Sequence, residues 1–233
     1  MTNVNSPFGG KASETLVSAK YSDKIYEFVI PSADADYLYQ NDFVKLTGNS
    51  SSSGIPHIAK CTASNNICGV VQTIENIYTH EQYIMRHPNE ELMVSVCVDP
   101  TVILEMQVNG TLTTAQVGKY ANLVIANGDE TVGVSHTQVD LSTVNASNGQ
   151  VIILGLVQRE GNTVGQYAKV YCLINMHQFG NVAEDFWDRD AITGTLYPKN
   201  IGDNLHVYQD ATIDGKLTVG GLIDPTGMIF DPQ

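Results

Sequence analysis

Four cysteines, six histidines and 25 carboxylates are the side chains that could ligate a metal or drive acid–base chemistry in this sequence. His57 precedes Cys61 by four residues and Cys68 follows at seven, a spacing that could supply three metal ligands. No pair of cysteines has the Cys-x-x-Cys spacing of zinc ribbons and redox sites. Cys97 and Cys172 sit inside the apolar runs Val94–Val98 and Val170–Ile174, where a free thiol serves as a small buried hydrophobe. No disulfide framework is implied. His80 and His87 would share one face of a helix, but no third ligand follows, so they read as solvated histidines. Asp34, Asp36 and Asp42 could approach a calcium ion, yet the regular Asp-x-Asp-x-Asp-Gly loop is missing. Asp188 and Asp190 resemble half of a carboxylate site, which is ordinary in so acidic a chain. Gly-x-Ser-x-Gly, His-Glu-x-x-His and the Walker loop are absent from the sequence. The expectation is a protein that is not an enzyme, with no catalytic residue, metal or cofactor.

Charge narrows the partners. Twelve Lys and Arg against 25 Asp and Glu leave a net charge of −13 over 233 residues. Nucleic acid is excluded as a partner, because neutralising phosphates takes clustered basic residues. An anionic membrane surface is excluded for the same reason. The longest apolar runs, such as Val151–Leu154, fall far short of the ~18 residues that span a bilayer. With 42% hydrophobic and only 16% charged residues, a sizeable core can form and Ser, Thr, Asn, Gln and Gly must cover the surface. The N-terminus has no basic start followed by an apolar stretch, so no secretory signal is expected.

The elements that must position these residues are strands. Short runs rich in Val, Ile and Tyr occur at 24–30, 42–46, 67–74, 92–98, 102–108, 120–126, 151–158 and 166–174, separated by Gly, Asn, Asp and Pro. The 48–54 stretch reads as a loop. This pattern predicts a mainly β protein, a compact barrel or sandwich over 23–180. Residues 76–87 could form a short helix and Thr113–Val117 a single turn. Residues 1–22 read as an extended polar arm that orders on a partner. Residues 181–233 form a β-rich extension with a hairpin signal at Asp214-Gly215. That extension is apolar for its length. A lone hairpin is marginal in water, so Phe186, Trp187, Tyr197, Leu205, Val207, Ile213, Leu217, Val219 and Ile223 are the candidate oligomer or fibre contacts.

Two stretches carry a family resemblance. The first runs from Pro100 through Glu105, Gln107, Gly110, Thr113, Ala115, Val117 and Gly118, and closes on Asn175, His177 and Gln178. It resembles the capsid decoration, or cement, proteins of tailed bacteriophages over roughly residues 20–180. The second, from Phe186-Trp187-Asp188-Arg189 through Leu196-Tyr197-Pro198 to Ala211–Val219, is similar to trimeric phage fibre modules. The resemblance implies a virion protein on the capsid exterior, assembled in the host cytoplasm. It implies a barrel that bridges major capsid protein subunits, a homotrimeric state, and an extension that forms or docks a head fibre. A head-fibre, collar or tail-fibre component is the alternative. A carbohydrate-binding module presenting Tyr78, Tyr83, Trp187 and Tyr197 is a further one.

Overall fold

The computed structural model describes residues 3–16, 24–75, 85–180, 187–189 and 196–198. The chain divides into two compact units, Met1–Val182 and Ala183–Gln233. The regular elements described in the first are strands, apart from short 3-10 turns. The strands are β1 (Lys11–Thr15), β2 (Ile25–Ile30), β3 (Leu38–Tyr39), β4 (Phe43–Ser50), β5 (Pro56–Lys60), β6 (Gly69–Ile74), β7 (Met85–Arg86) and β8 (Leu92–Cys97). There follow β9 (Val102–Asn109), β10 (Tyr120–Val124), β11 (Gln138–Asn145), β12 (Val151–Leu156) and β13 (Lys169–Ile174). The mainly β expectation holds. Alternation explains the strands individually: Val102, Leu104, Met106 and Val108 of β9 point inward and are buried, while Ile103 and Glu105 are half-buried on the other face.

Where a single compact barrel or sandwich was expected over 23–180, the described strands form two five-stranded rings. In the first, β2, β5, β4, β6 and β8 close on themselves. In the second, β9, β11, β10, β12 and β13 follow in order, and the pairing of β13 with β9 closes the circle. The rings share one topology. In each, the first strand lies parallel to the third, and all other neighbours are antiparallel. Register also repeats about eighty residues on. Phe28↔Val94 returns as Met106↔Val170, and Leu46↔Ile58 as Leu123↔Val139. Val71↔Val96 returns as Ile153↔Cys172. A β-bulge follows that pair in both rings, between Val71 and Thr73 and between Ile153 and Gly155. A bulge bends a strand and adds twist, as closing so small a ring requires. Across the ends, the β3–β7 ladder of the first ring has its counterpart in the single bridge Thr111↔Gln166 of the second.

The rings are fused through their cores. Phe28, Ile30, Val44, Ile58, Val71 and Val94 fill the first ring. Their neighbours Phe43, Val70 and Cys97, one step out of phase, belong instead to the cluster that fills the second. A one-residue step along a strand turns the side chain to the opposite face, so the first ring gives its outer surface to its neighbour's core. The closing segment adds polar stitches. Ile67 N–H donates to Met176 O at 2.7 Å, Gln178 N–H to Ile67 O at 2.8 Å, and Leu46 N–H to the Gln178 side-chain oxygen at 2.8 Å.

Several expectations need correction. The arm of residues 1–22 was expected to order on a partner, but its described part orders on its own chain. Lys11–Thr15 is a strand paired with β9, and Asn3 bonds to Thr163 and Gln166. Gly9 and Gly10 are buried beneath it, where a Cβ on Gly9 would stand 2.4 Å from Asn41 O. Within the loop expected at 48–54, residues 48–50 extend β4, and Gly48 takes a φ of +83°. The helix read over 76–87 lies outside the described residues except at its end, where Met85 and Arg86 form β7. Thr114–Gln116 is the single turn expected there, tied by the Thr113 N–H donating to the Gln116 side chain.

Candidate functional site

Asp34 and Asp42, two of the carboxylates considered for chemistry, are engaged in holding the fold. Asp42 is fully buried and meets Lys60 Nζ at 2.9 Å. It also accepts from Ser135 Oγ at 2.5 Å and from Tyr39 N–H at 3.0 Å. Burial pushes its carboxyl upward, while Lys60, Ser135 and the Tyr39 N–H pull it back. Lys60 donates further to Tyr37 O and Ala126 O, so the buried pair pins the 125–137 loop of the second ring onto the first. Asp34 binds Arg86 at 2.8 Å. The Arg86 guanidinium is buried and donates to the carbonyls of Pro31, Asp34, Asp36 and Glu90. One arginine thus organises both loops that carry β3 and β7, satisfying acceptors that burial would otherwise leave orphaned. The three aspartates weighed for calcium are therefore divided between two structural networks.

None of the four cysteines forms a disulfide, and all are buried. Burial pushes the Cys61 and Cys68 thiols up to about 12 and raises Cys97 and Cys172 as well, which keeps them protonated and inert. No group of three or more His, Cys, Asp or Glu that could hold a metal occurs among the described residues. No described helix is long and apolar enough to cross a membrane.

Several of the residues that carry the family resemblance also prove to be stitches. Glu105 pairs with Arg159 across the outer face of the second ring. Gln107 is buried, donating to Asn5 Oδ1 and accepting from the Ser6 N–H, both at 2.8 Å. Asn175 donates to Gly149 O. His177 is buried and accepts the Phe179 N–H on Nδ1 at 3.0 Å, while its Nε2 is buried with no partner. Burial holds its pKa down at about 4, against the opposing pull of Asp99. Spacing does not signal the roles of Glu105, Gln107 and Asn175, because their partners lie 26 to 102 residues away in sequence.

Among the exposed apolar side chains of the described residues, four lie on segments in or beside the inter-ring linker. Residues 97–101 link the last strand of the first ring to the first strand of the second. Leu16, 59% exposed, donates its N–H to Thr101 O beside this linker. Ile25 pairs with Cys97, and its neighbour Tyr26 is 56% exposed. Phe179 is exposed next to Gly180, whose Cβ position lies 3.8 Å from Pro100. These four residues stand where the described chain ends or begins beside residues 17–23 and 181–186. Sequence reasoning missed them, since no one stretch contains them.

Of the candidate contacts in the second unit, Trp187 lies in β14 (Trp187–Arg189) and Tyr197 in β15 (Leu196–Pro198). The two strands pair antiparallel with Trp187 opposite Pro198 and Tyr197 opposite Asp188. Phe186, Leu205, Val207, Ile213, Leu217, Val219 and Ile223 lie outside the described residues, as do Tyr78, Tyr83, His80 and the Asp214-Gly215 turn. No protein-family model, curated protein or solved structure matches the chain.

Proposed function

We propose that this chain is a structural virion protein that binds the outside of a tailed-phage capsid and bridges major capsid protein subunits as a homotrimer. The observation that carries the reading is the exposure of Leu16, Tyr26 and Phe179 on segments that contact or flank the inter-ring linker. Exposed apolar side chains beside one segment suit a protein contact. The engagement of Asp34, Asp42, Lys60, Arg86 and the cysteines in the fold supports a role in which no residue turns over a substrate. The sequence resemblance to decoration proteins supplies the capsid. A shell carrying many such bridges ruptures only when those contacts break too, which is a kinetic form of stabilisation.

Two measurements test this. The native mass of the full chain should be three times 25.3 kDa. A chain ending at Val182 should keep its β structure and associate more weakly, because the second unit contributes contacts between copies. A full-length monomer at micromolar concentration would remove the trimer. Purified particles should carry the protein in tens to hundreds of copies. A handful confined to one vertex would instead favour the head-fibre or collar component, a reading supported by the division of the chain into two compact units.

A further inference from the structure

The seam between the rings holds a groove of about 490 Å³, lined by Phe8, Lys11, Gln40, Gln72, Arg159 and Lys169 among others. Its charge is unlike that of the protein. The chain carries −13, yet Lys11, Arg159 and Lys169 gather here against Glu105, the one acid in the lining. That acid is already paired with Arg159. Lys11 and Lys169 have no carboxylate within ion-pair distance among the described residues. Lys169 lies 5.5 Å from the centre of the Phe8 ring, which holds its ammonium against the groove wall. Register fixes the placement. Lys11 stands opposite Glu105 on β1 and β9, and Lys169 stands on β13 beside them. The amides of Gln40, Asn41 and Gln72 line the side given by the first ring.

One wall is a sheet edge. Among the described residues β1 has a ladder partner, β9, on one side only. An edge of this kind is a template for an extended chain, and Lys11 and Ala12 of that edge line the groove.

We propose that this groove binds an extended acidic peptide segment of a partner protein, its carboxylates held by Lys11 and Lys169 and its backbone laid along β1. A carboxylate-bearing strand fits both halves of the site, the cations and the open edge. A nucleic-acid strand would carry its repeating phosphates past the groove and over a surface of the same sign. This proposal rests on the groove alone and stands or falls apart from the virion reading.

The test uses the full-length protein and a fluorescently labelled octapeptide of alternating Glu and Val, read by fluorescence polarisation at low salt. Saturable binding at one peptide per chain that weakens as salt rises is the expected result. Lys11→Gln and Lys169→Gln should each weaken it roughly threefold and together roughly tenfold. Lys119→Gln, which removes a cation outside the groove, should leave it unchanged. Lys11 is exposed, so its replacement does not threaten the fold. No binding by the native protein, equal loss with Lys119→Gln, or tighter binding of a labelled oligonucleotide of equal charge would each overturn the proposal.

Discussion

At the scale of single residues, the polar groups of this protein act as fasteners, and His177 shows what that implies for pH. Its ring is buried with Nδ1 committed to the Phe179 N–H, and burial holds its pKa near 4 against an ordinary value of 6.5. On acidification the unfolded chain takes up its proton near 6.5 while the folded chain does not. Stability from this residue is therefore complete above pH 6.5 and is lost as pH falls toward 4. Between pH 6.5 and 5 the loss amounts to about 2 kcal/mol. Urea unfolding across that window should show it. In His177→Asn, whose side-chain oxygen can still accept the Phe179 N–H, the slope should flatten over the same window. An unchanged slope would mean that other groups set it. This histidine belonged to a motif legible in the sequence, but its role was not. The role depends on burial against segments remote in sequence, those of Ile67 and Asp99 among them, and a linear pattern does not report that proximity.

At the scale of elements, the strands with strong alternation were legible and the short or covered ones were not. Val102–Asn109 announces itself through Leu104, Met106 and Val108 against Ile103 and Glu105. Lys11–Thr15 does not, because only Ala12 of its five residues is buried. Leu38–Tyr39 and Met85–Arg86 are too short to display a period. Glycines within strands give a sharper test. A Cβ on Gly69 would stand 2.2 Å from Cys97 O and 2.7 Å from a Val96 methyl, so β6 can approach β8 only without one. Gly155, beside the corresponding bulge of the second ring, has nothing within 4 Å of its Cβ position. Gly69→Ala should destabilise by about 1–3 kcal/mol. Gly155→Ala should be neutral or stabilising by about 0.5 kcal/mol, because alanine loses less backbone entropy in a strand. Thermal melting of the two variants checks this, and a harmless Gly69→Ala would show that β6 and β8 can move apart freely.

At the scale of the whole molecule, the repeated ring was invisible in the sequence for a physical reason. Phe28 and Met106, Ile58 and Val139, and Val96 and Cys172 occupy matching places, and a core asks only for apolar volume at each. Register and bulge position persist because they fix the closure of the ring, whereas side-chain identity does not. The rings nevertheless cannot be independent. Phe43, Val70 and Cys97 leave the first ring to fill the second, and Gln178 returns from the second to hold Leu46 of the first. Opening either ring exposes the other's core, so both should unfold in one step. Native-state hydrogen exchange reads this directly. The slowest amides of β6 and β8 should share one opening free energy and one denaturant slope with those of β12 and β13. Phe43→Ala, which hollows the shared face, should lower both sets together by about 3–5 kcal/mol. If its effect stayed within the first ring, or if one ring's amides opened well before the other's, the rings would be separate domains in series. The exposed apolar residues beside their linker would then sit on a hinge rather than on a rigid platform.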